Sequence, residues 1–176
     1  MMRPRLLASL AVAAVALLSP AGCVILGTDA AARTDITNPP PGGADFKPVG
    51  LFLVHRCGSL DCHGQVGRNL RIYGDFGLRL DPKGVPSGGL TTPAELDADY
   101  QAVVSLEPEL MNEVVASGGM NPASLTFYRK PTAIEHHKGG QVIQLGDDQD
   151  TCILSWLASA VDKTACANAV DPTKYP

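Results

Sequence analysis

Apolar and polar positions divide the chain into three stretches. Leu6 to Leu18 is an almost unbroken apolar run, interrupted only by Ser9 and preceded by the positive Met1-Met2-Arg3-Pro4-Arg5. Val24 to Pro48 has no apolar periodicity and is rich in Ala, Thr, Gly, Pro and Asp. From Val49 onward short periodic segments alternate with loops. Val49 to Arg56 fits a short helix with Leu51, Phe52 and Val54 as its apolar wall. Asn69–Gly74 and Gly77–Leu80 alternate apolar and polar residues, which predicts extended structure in a small hairpin. Thr92-Pro93-Ala94-Glu95 is a helix start: Thr92 caps, Pro93 suits the first turn and Glu95 closes a capping box. That helix should run through Tyr100, Val103 and Val104, restart at Glu107-Pro108-Glu109, and stop at Ser117-Gly118-Gly119. A helical turn is expected over Pro122–Tyr128, and a loop over His136–Gly140. A last helix should follow Asp147, containing Cys152 and Trp156, with Trp156 in the core, and end between Ala160 and Asp162. The outline is mainly α, with long loops.

The first two stretches carry an address. The apolar run is shorter than the about 20 residues needed to span a bilayer. With its positive flank and the small residues behind it, it reads as a secretory signal over residues 1–22. Pro20-Ala21-Gly22-Cys23 resembles the lipobox of bacterial lipoproteins, with Pro20 standing where Leu is usual. The resemblance implies cleavage before Cys23, lipidation of that cysteine and acyl chains, palmitate among them, that hold the protein on a membrane. Each buried methylene contributes about 0.8 kcal/mol to such an anchor. Residues 23–48 are then a disordered tether and residues 49–176 the folded body, of a length suited to one domain. The location expected is the cell envelope: the periplasmic face, the outer membrane or the cell surface.

Composition narrows the partners. The formal charge is −4 with both signs mixed along the chain, so the basic patch that nucleic acid requires is missing. Aromatic residues are only 5% of the chain, so a body this rich in loops is expected to need disulfides or a cofactor for stability. The five cysteines leave four after Cys23. Cys152 and Cys166 read as a disulfide tying the C-terminal segment to the last helix. Cys57-Gly58-Ser59-Leu60-Asp61-Cys62-His63-Gly64 is a C-x4-C-H-G segment. Three chemistries fit it. Two thioether bonds to haem with the following histidine on iron is one. A local disulfide with His63 on the surface is another, and a metal site is the third, less suited to an oxidising space. Asp147, Asp148 and Asp150 could hold calcium, although a helix N-terminus attracts acidic residues anyway.

The segment Arg56–Gly64 resembles the C-x4-C-H-G stretch of cytochrome-c-like domains in exported proteins and lipoproteins of myxobacteria and planctomycetes. Those domains share a later K-P…H-x-G-G loop and an S-W-L helix, here Lys130-Pro131, His137-Lys138-Gly139-Gly140 and Ser155-Trp156-Leu157. The resemblance implies a cytochrome c fold carrying haem c, with thioethers at Cys57 and Cys62 and His63 as proximal iron ligand. For the distal ligand the sequence offers His137 first and Met120 second, with His136 and Met111 behind them. The implied function is electron transfer with redox partner proteins, as a carrier rather than an enzyme. The competing expectation is a disulfide-stapled binding or structural lipoprotein that keeps the fold without haem.

Overall fold

The computed structural model describes residues 35–175; the leader and Cys23 lie outside them. Among the described residues the fold is mainly helical and holds no strand. The helices are α1 (Lys47–Cys57), α2 (Pro93–Val104), α3 (Pro108–Ala116), α4 (Thr126–Arg129), α5 (Asp148–Leu157) and α6 (Lys163–Ala169), with a 3-10 turn over Pro122–Ser124 before α4.

The starts follow the local chemistry. Thr92 accepts from the Glu95 N–H while the Glu95 carboxylate accepts from the Thr92 N–H, the expected capping box. Asp147 caps α5 through Asp150 N, and Asp162 caps α6 through Thr164 N and Ala165 N. α5 ends at Leu157, earlier than the apolar pattern suggests. Its last turn is closed by Ser159, which adopts a positive φ of 54°, and by Ala160 N donating to Ser155 O.

The core is centred on an aromatic cluster. Phe46 packs 5.3 Å from both Tyr100 and Trp156, and Phe127 meets Trp156 edge-on at 6.2 Å. Trp156 is fully buried, as expected. Burying side chains of this size stabilises the fold by about 1.5–3 kcal/mol each. Phe46, Tyr100, Phe127 and Trp156 thus meet where the start of α1, α2, α4 and α5 come together. Cys152 and Cys166 form the expected disulfide, Cα atoms 4.7 Å apart, joining α5 to α6.

Two expectations are corrected. Composition assigns the stretch ahead of Val49 to a tether, yet from Asp35 on it is laid against the body. Phe46 is 1% exposed. The Trp156 indole donates to Pro41 O at 2.6 Å, the Tyr100 hydroxyl donates to Pro40 O, and the Asn112 amide bonds Asp35, Thr37 and Asn38 backbone. Its prolines suppress helix, but proline carbonyls still accept hydrogen bonds. The hairpin over 69–80 is also absent. Those residues run through bends and a turn at 75–76, closed by Gly74 N on Leu78 O, and bond to the loop before them: Ile72 N donates to His63 O and Leu78 N to Gly64 O. Their alternation reflects a loop with one buried side, with Ile72 fully buried, and no neighbouring strand supplies a ladder.

Candidate functional site

The C-x4-C-H-G segment leaves α1 at its C-terminus and folds back on itself. Gly58 N closes the helix on Val54 O. Cys62 N and Gly64 N both donate to Ser59 O, and His63 N reaches back to Cys57 O at 2.9 Å. The Gly58 carbonyl is trapped between Gly64 and Gly77. A Cβ on Gly64 would stand 1.7 Å from that oxygen and one on Gly77 would stand 2.0 Å from it. Both are impossible contacts with backbone, so glycine at 64 and 77 is a steric requirement of the loop.

This fold turns His63 toward a cavity of about 540 Å3, within the about 300–1,000 Å3 usual for small-molecule sites. Leu53 and Cys57 of α1, the segment Gly67–Leu70, Leu106 and Glu107, Thr126 and Phe127 of α4, and Lys130, Pro131 and His137 complete its lining. The lining is mixed: Leu53, Leu70, Leu106, Phe127 and Pro131 are apolar, and Arg68, Lys130 and Glu107 bring charge. Arg68 is bonded to Cys62 O and Asp61 O, and Lys130 lies 3.4 Å from Glu135.

The two histidines reach the cavity in the same way. His63 Nδ1 lies 2.9 Å from Leu70 O, and His137 Nδ1 lies 3.1 Å from Gly140 O. A carbonyl oxygen only accepts, so in both rings Nδ1 carries a proton, and Nε2 is the nitrogen left for another partner. A backbone acceptor on Nδ1 is also the arrangement that orients histidines for metal ligation. The ring centres are 6.4 Å apart, with planes 25° from parallel. His137 is presented by a loop closed at its base, where Val142 N and Ile143 N both donate to Pro131 O. Its tip turns through Gly140 at φ 69°, and Gly139 abuts the imidazole so closely that a Cβ there would stand 2.6 Å from Cε1.

Cys57 and Cys62 are free thiols in this structure. Cys57 lines the cavity. Burial, then the neighbouring Cys62, push its thiol up to about 12 against a smaller opposing effect of Arg56, so the group stays protonated.

The other expected ligands fall elsewhere. Met120 is 68% exposed and off the cavity, because Gly118 and Gly119, both at positive φ, turn the chain outward there. His136 is exposed and Met111 is buried in the core. Among the described residues no group of three or more His, Cys, Asp or Glu side chains could hold a bare metal ion. The acidic trio at α5 is occupied by the protein itself. Asp147 caps the helix, Asp150 accepts from the Tyr128 hydroxyl and Gly146 N, and Asp148 accepts from Asn168 and Lys174.

Sequence reasoning passes over several parts of the site. Leu70, Leu106 and Phe127 are apolar residues with nothing to distinguish them from core. A second omission is the acidic pair on α2. Burial raises the Glu95 carboxyl, but hydrogen bonds from Arg79, Thr92 and Leu80 outweigh it and hold it at about 2. Asp99, fully buried, is pushed up to about 7 by burial, with the Tyr73 N–H opposing and Glu95 adding to the rise. The signal in the sequence is the Glu95…Asp99 spacing of one helical turn, which puts both on one face.

No protein-family profile, curated protein or solved structure matches this chain.

Proposed function

We propose that the chain is an exported, lipid-anchored c-type haem protein that carries electrons, built on a cytochrome-c-like helical body. The observation that carries the reading is the pair His63 and His137, which line one cavity with each Nδ1 bonded to a backbone carbonyl. Their ring centres are 6.4 Å apart, so a group held in the cavity would lie within reach of both. A flat apolar macrocycle with two carboxylates could be met by a cavity lined by Leu53, Leu70, Leu106 and Phe127 as well as by Arg68 and Lys130, with Glu107 the acidic group on its wall. Cys57 in the wall and Cys62 beside it, neither committed to a disulfide, supply the two thiols that haem attachment requires.

In this reading Cys57 and Cys62 hold the haem covalently, His63 is the proximal ligand and His137 the distal one. The haem supplies one-electron exchange. The chain's own residues do the rest: Leu70 O and Gly140 O fix the two imidazoles, and Leu53, Leu70, Leu106 and Phe127 supply the apolar part of the wall. No nucleophile or base is needed, which suits a carrier whose partners are other redox proteins. The Cys152–Cys166 disulfide agrees with an oxidising compartment. The anchor at Cys23 rests on the lipobox resemblance, and intact mass of the mature chain reads the acyl groups directly.

The deciding experiment is absorbance of the mature protein made in a periplasm with haem-attachment machinery, followed by pyridine haemochrome and intact mass. The expected result is a Soret band that survives denaturation and a mass increased by one haem. A colourless chain with Cys57 joined to Cys62 overturns the reading and leaves a disulfide-stapled binding lipoprotein. His137→Ala should keep the covalent haem but change its spectrum from low-spin to high-spin. An unchanged spectrum removes His137 as the distal ligand.

A further inference from the structure

The loop that receives the His63 proton is itself held from outside the site. His63 is gripped twice by one short segment: its Nδ1–H donates to Leu70 O at 2.9 Å, and its backbone oxygen accepts from Ile72 N at 3.0 Å. The segment ends at Tyr73, whose N–H donates to Asp99 Oδ1 on α2 at 2.7 Å. Asp99 is completely buried, and its other carboxylate oxygen has no partner. A buried carboxyl with an unpaired oxygen is costly to fold. Packing alone would be served better by an apolar side chain, so the acid is explained by the one bond it makes.

We infer that Asp99 is the positioning residue for the His63 imidazole, acting through the segment Leu70–Tyr73. The inference deepens the haem reading above and rests on it for its functional meaning. Asp99 touches neither the cavity nor His63. It fixes the backbone of Tyr73 to a long, well-capped helix, and through Ile72 and Leu70 that anchor sets the orientation of the ring. Rotation of the imidazole about its Cβ–Cγ bond would need Leu70 O to move or to lose its donor. A ligand histidine whose second nitrogen is bonded to a fixed acceptor is a stronger and better-oriented base than a free one. In the chain Asp99–Tyr73–Ile72–Leu70–His63, only the last bond is local to the candidate site.

The test is nitrogen-15 NMR of the His63 ring and the Tyr73 amide in the mature full-length chain as isolated, reduced if it carries haem. In the wild type the His63 proton should reside on Nδ1, and hydrogen exchange at Tyr73 N and His63 Nδ1 should be governed by one opening event. Asp99→Ala should speed exchange of the His63 Nδ1–H by about tenfold, the effect of one lost hydrogen bond. Asp99→Asn, which keeps an acceptor oxygen, should restore most of the protection. Positioning is separated from a general loss of stability by amides elsewhere in α2 and α5, whose exchange a general loss would speed equally and a local role would leave unchanged. If the Ala variant fails to fold, the wild-type exchange measurement stands alone: separate opening of Tyr73 and His63 overturns the inference. A His63 ring indifferent to Asp99→Ala in a folded chain overturns it too. Pyridine haemochrome on the same samples separates the two readings. A haem-free chain with a locked His63 that Asp99→Ala releases keeps Asp99 in this role and rejects haem. A haem-bearing chain whose His63 ignores Asp99 does the reverse.

Discussion

The molecule carries two cysteine pairs in contrasting surroundings. Cys152 and Cys166 lie on two capped helices, α5 and α6, both residues buried, and the structure joins them. Cys57 and Cys62 lie where a helix runs out into a loop, beside a cavity, and the structure leaves them as thiols. The C-terminal pair sits among packed side chains: Trp156, Ile153 and Leu157 are fully buried around it. The loop of the other pair is held by backbone hydrogen bonds and by glycine contacts at Gly58, Gly64 and Gly77. One region is built to be stable, and the other is built to hold particular atoms in place around a space. The comparison teaches that cysteine spacing does not determine cysteine use; the surroundings do.

The sharpest way to break the contrast is to empty the packed side. Trp156→Ala should cost about 4 kcal/mol, since it removes the centre of the aromatic cluster and a buried N–H bond to Pro41; urea unfolding followed by circular dichroism reads it. Next comes the Cys152→Ala/Cys166→Ala double variant, expected to lose about 3 kcal/mol because its loop spans 14 residues. The matched Cys57→Ser/Cys62→Ser chain should lose less than about 1 kcal/mol when compared haem-free. Equal losses in the two double variants would erase the distinction.

The acidic pair on α2 gives a pH test of the loop side. Asp99 has its folded-state pKa raised from 3.8 to about 7, so the folded chain binds its proton more tightly than the unfolded one. The stability from this group is full below about pH 4 and is lost as pH rises through about 7. Glu95 is opposite: its folded value of about 2 lies below the ordinary 4.5, so its contribution is present above pH 4.5 and lost as pH falls through about 2. Between pH 5 and 8 stability should therefore fall by up to a few kcal/mol, and Asp99→Asn should flatten that slope. Urea midpoints at intervals across the range measure it. A slope unchanged by Asp99→Asn would assign it to another group. The smallest effect is expected at Thr92→Ala, about 1 kcal/mol from loss of the α2 cap, read as a shift in the same midpoint.

Much of the helical outline is legible in the amino-acid order. Thr92-Pro93-Ala94-Glu95 and Asp147 mark helix starts because the cap uses only neighbours in sequence. The alternation over 69–80 suggests a hairpin that does not form, because alternation records one buried face and says nothing of what lies alongside. The tether inferred from composition is too long because Pro, Gly and Ala content describes a chain in isolation, while Phe46 and the carbonyls of Pro40 and Pro41 find partners far along the chain. For the site, Cys57, Cys62 and His63 are visible as a motif, and His137 as one of several candidates.

The sequence by itself determined the helix starts and the glycine-marked loops, because each depends on bonds between near neighbours. Tertiary structure alone set where His137 and Met120 lie: it brought one ring to 6.4 Å from His63 and left the other side chain exposed. It also brought Asp99 under the loop that holds His63. These are relations between distant segments, and distance in space follows from how whole elements pack, which no local pattern encodes.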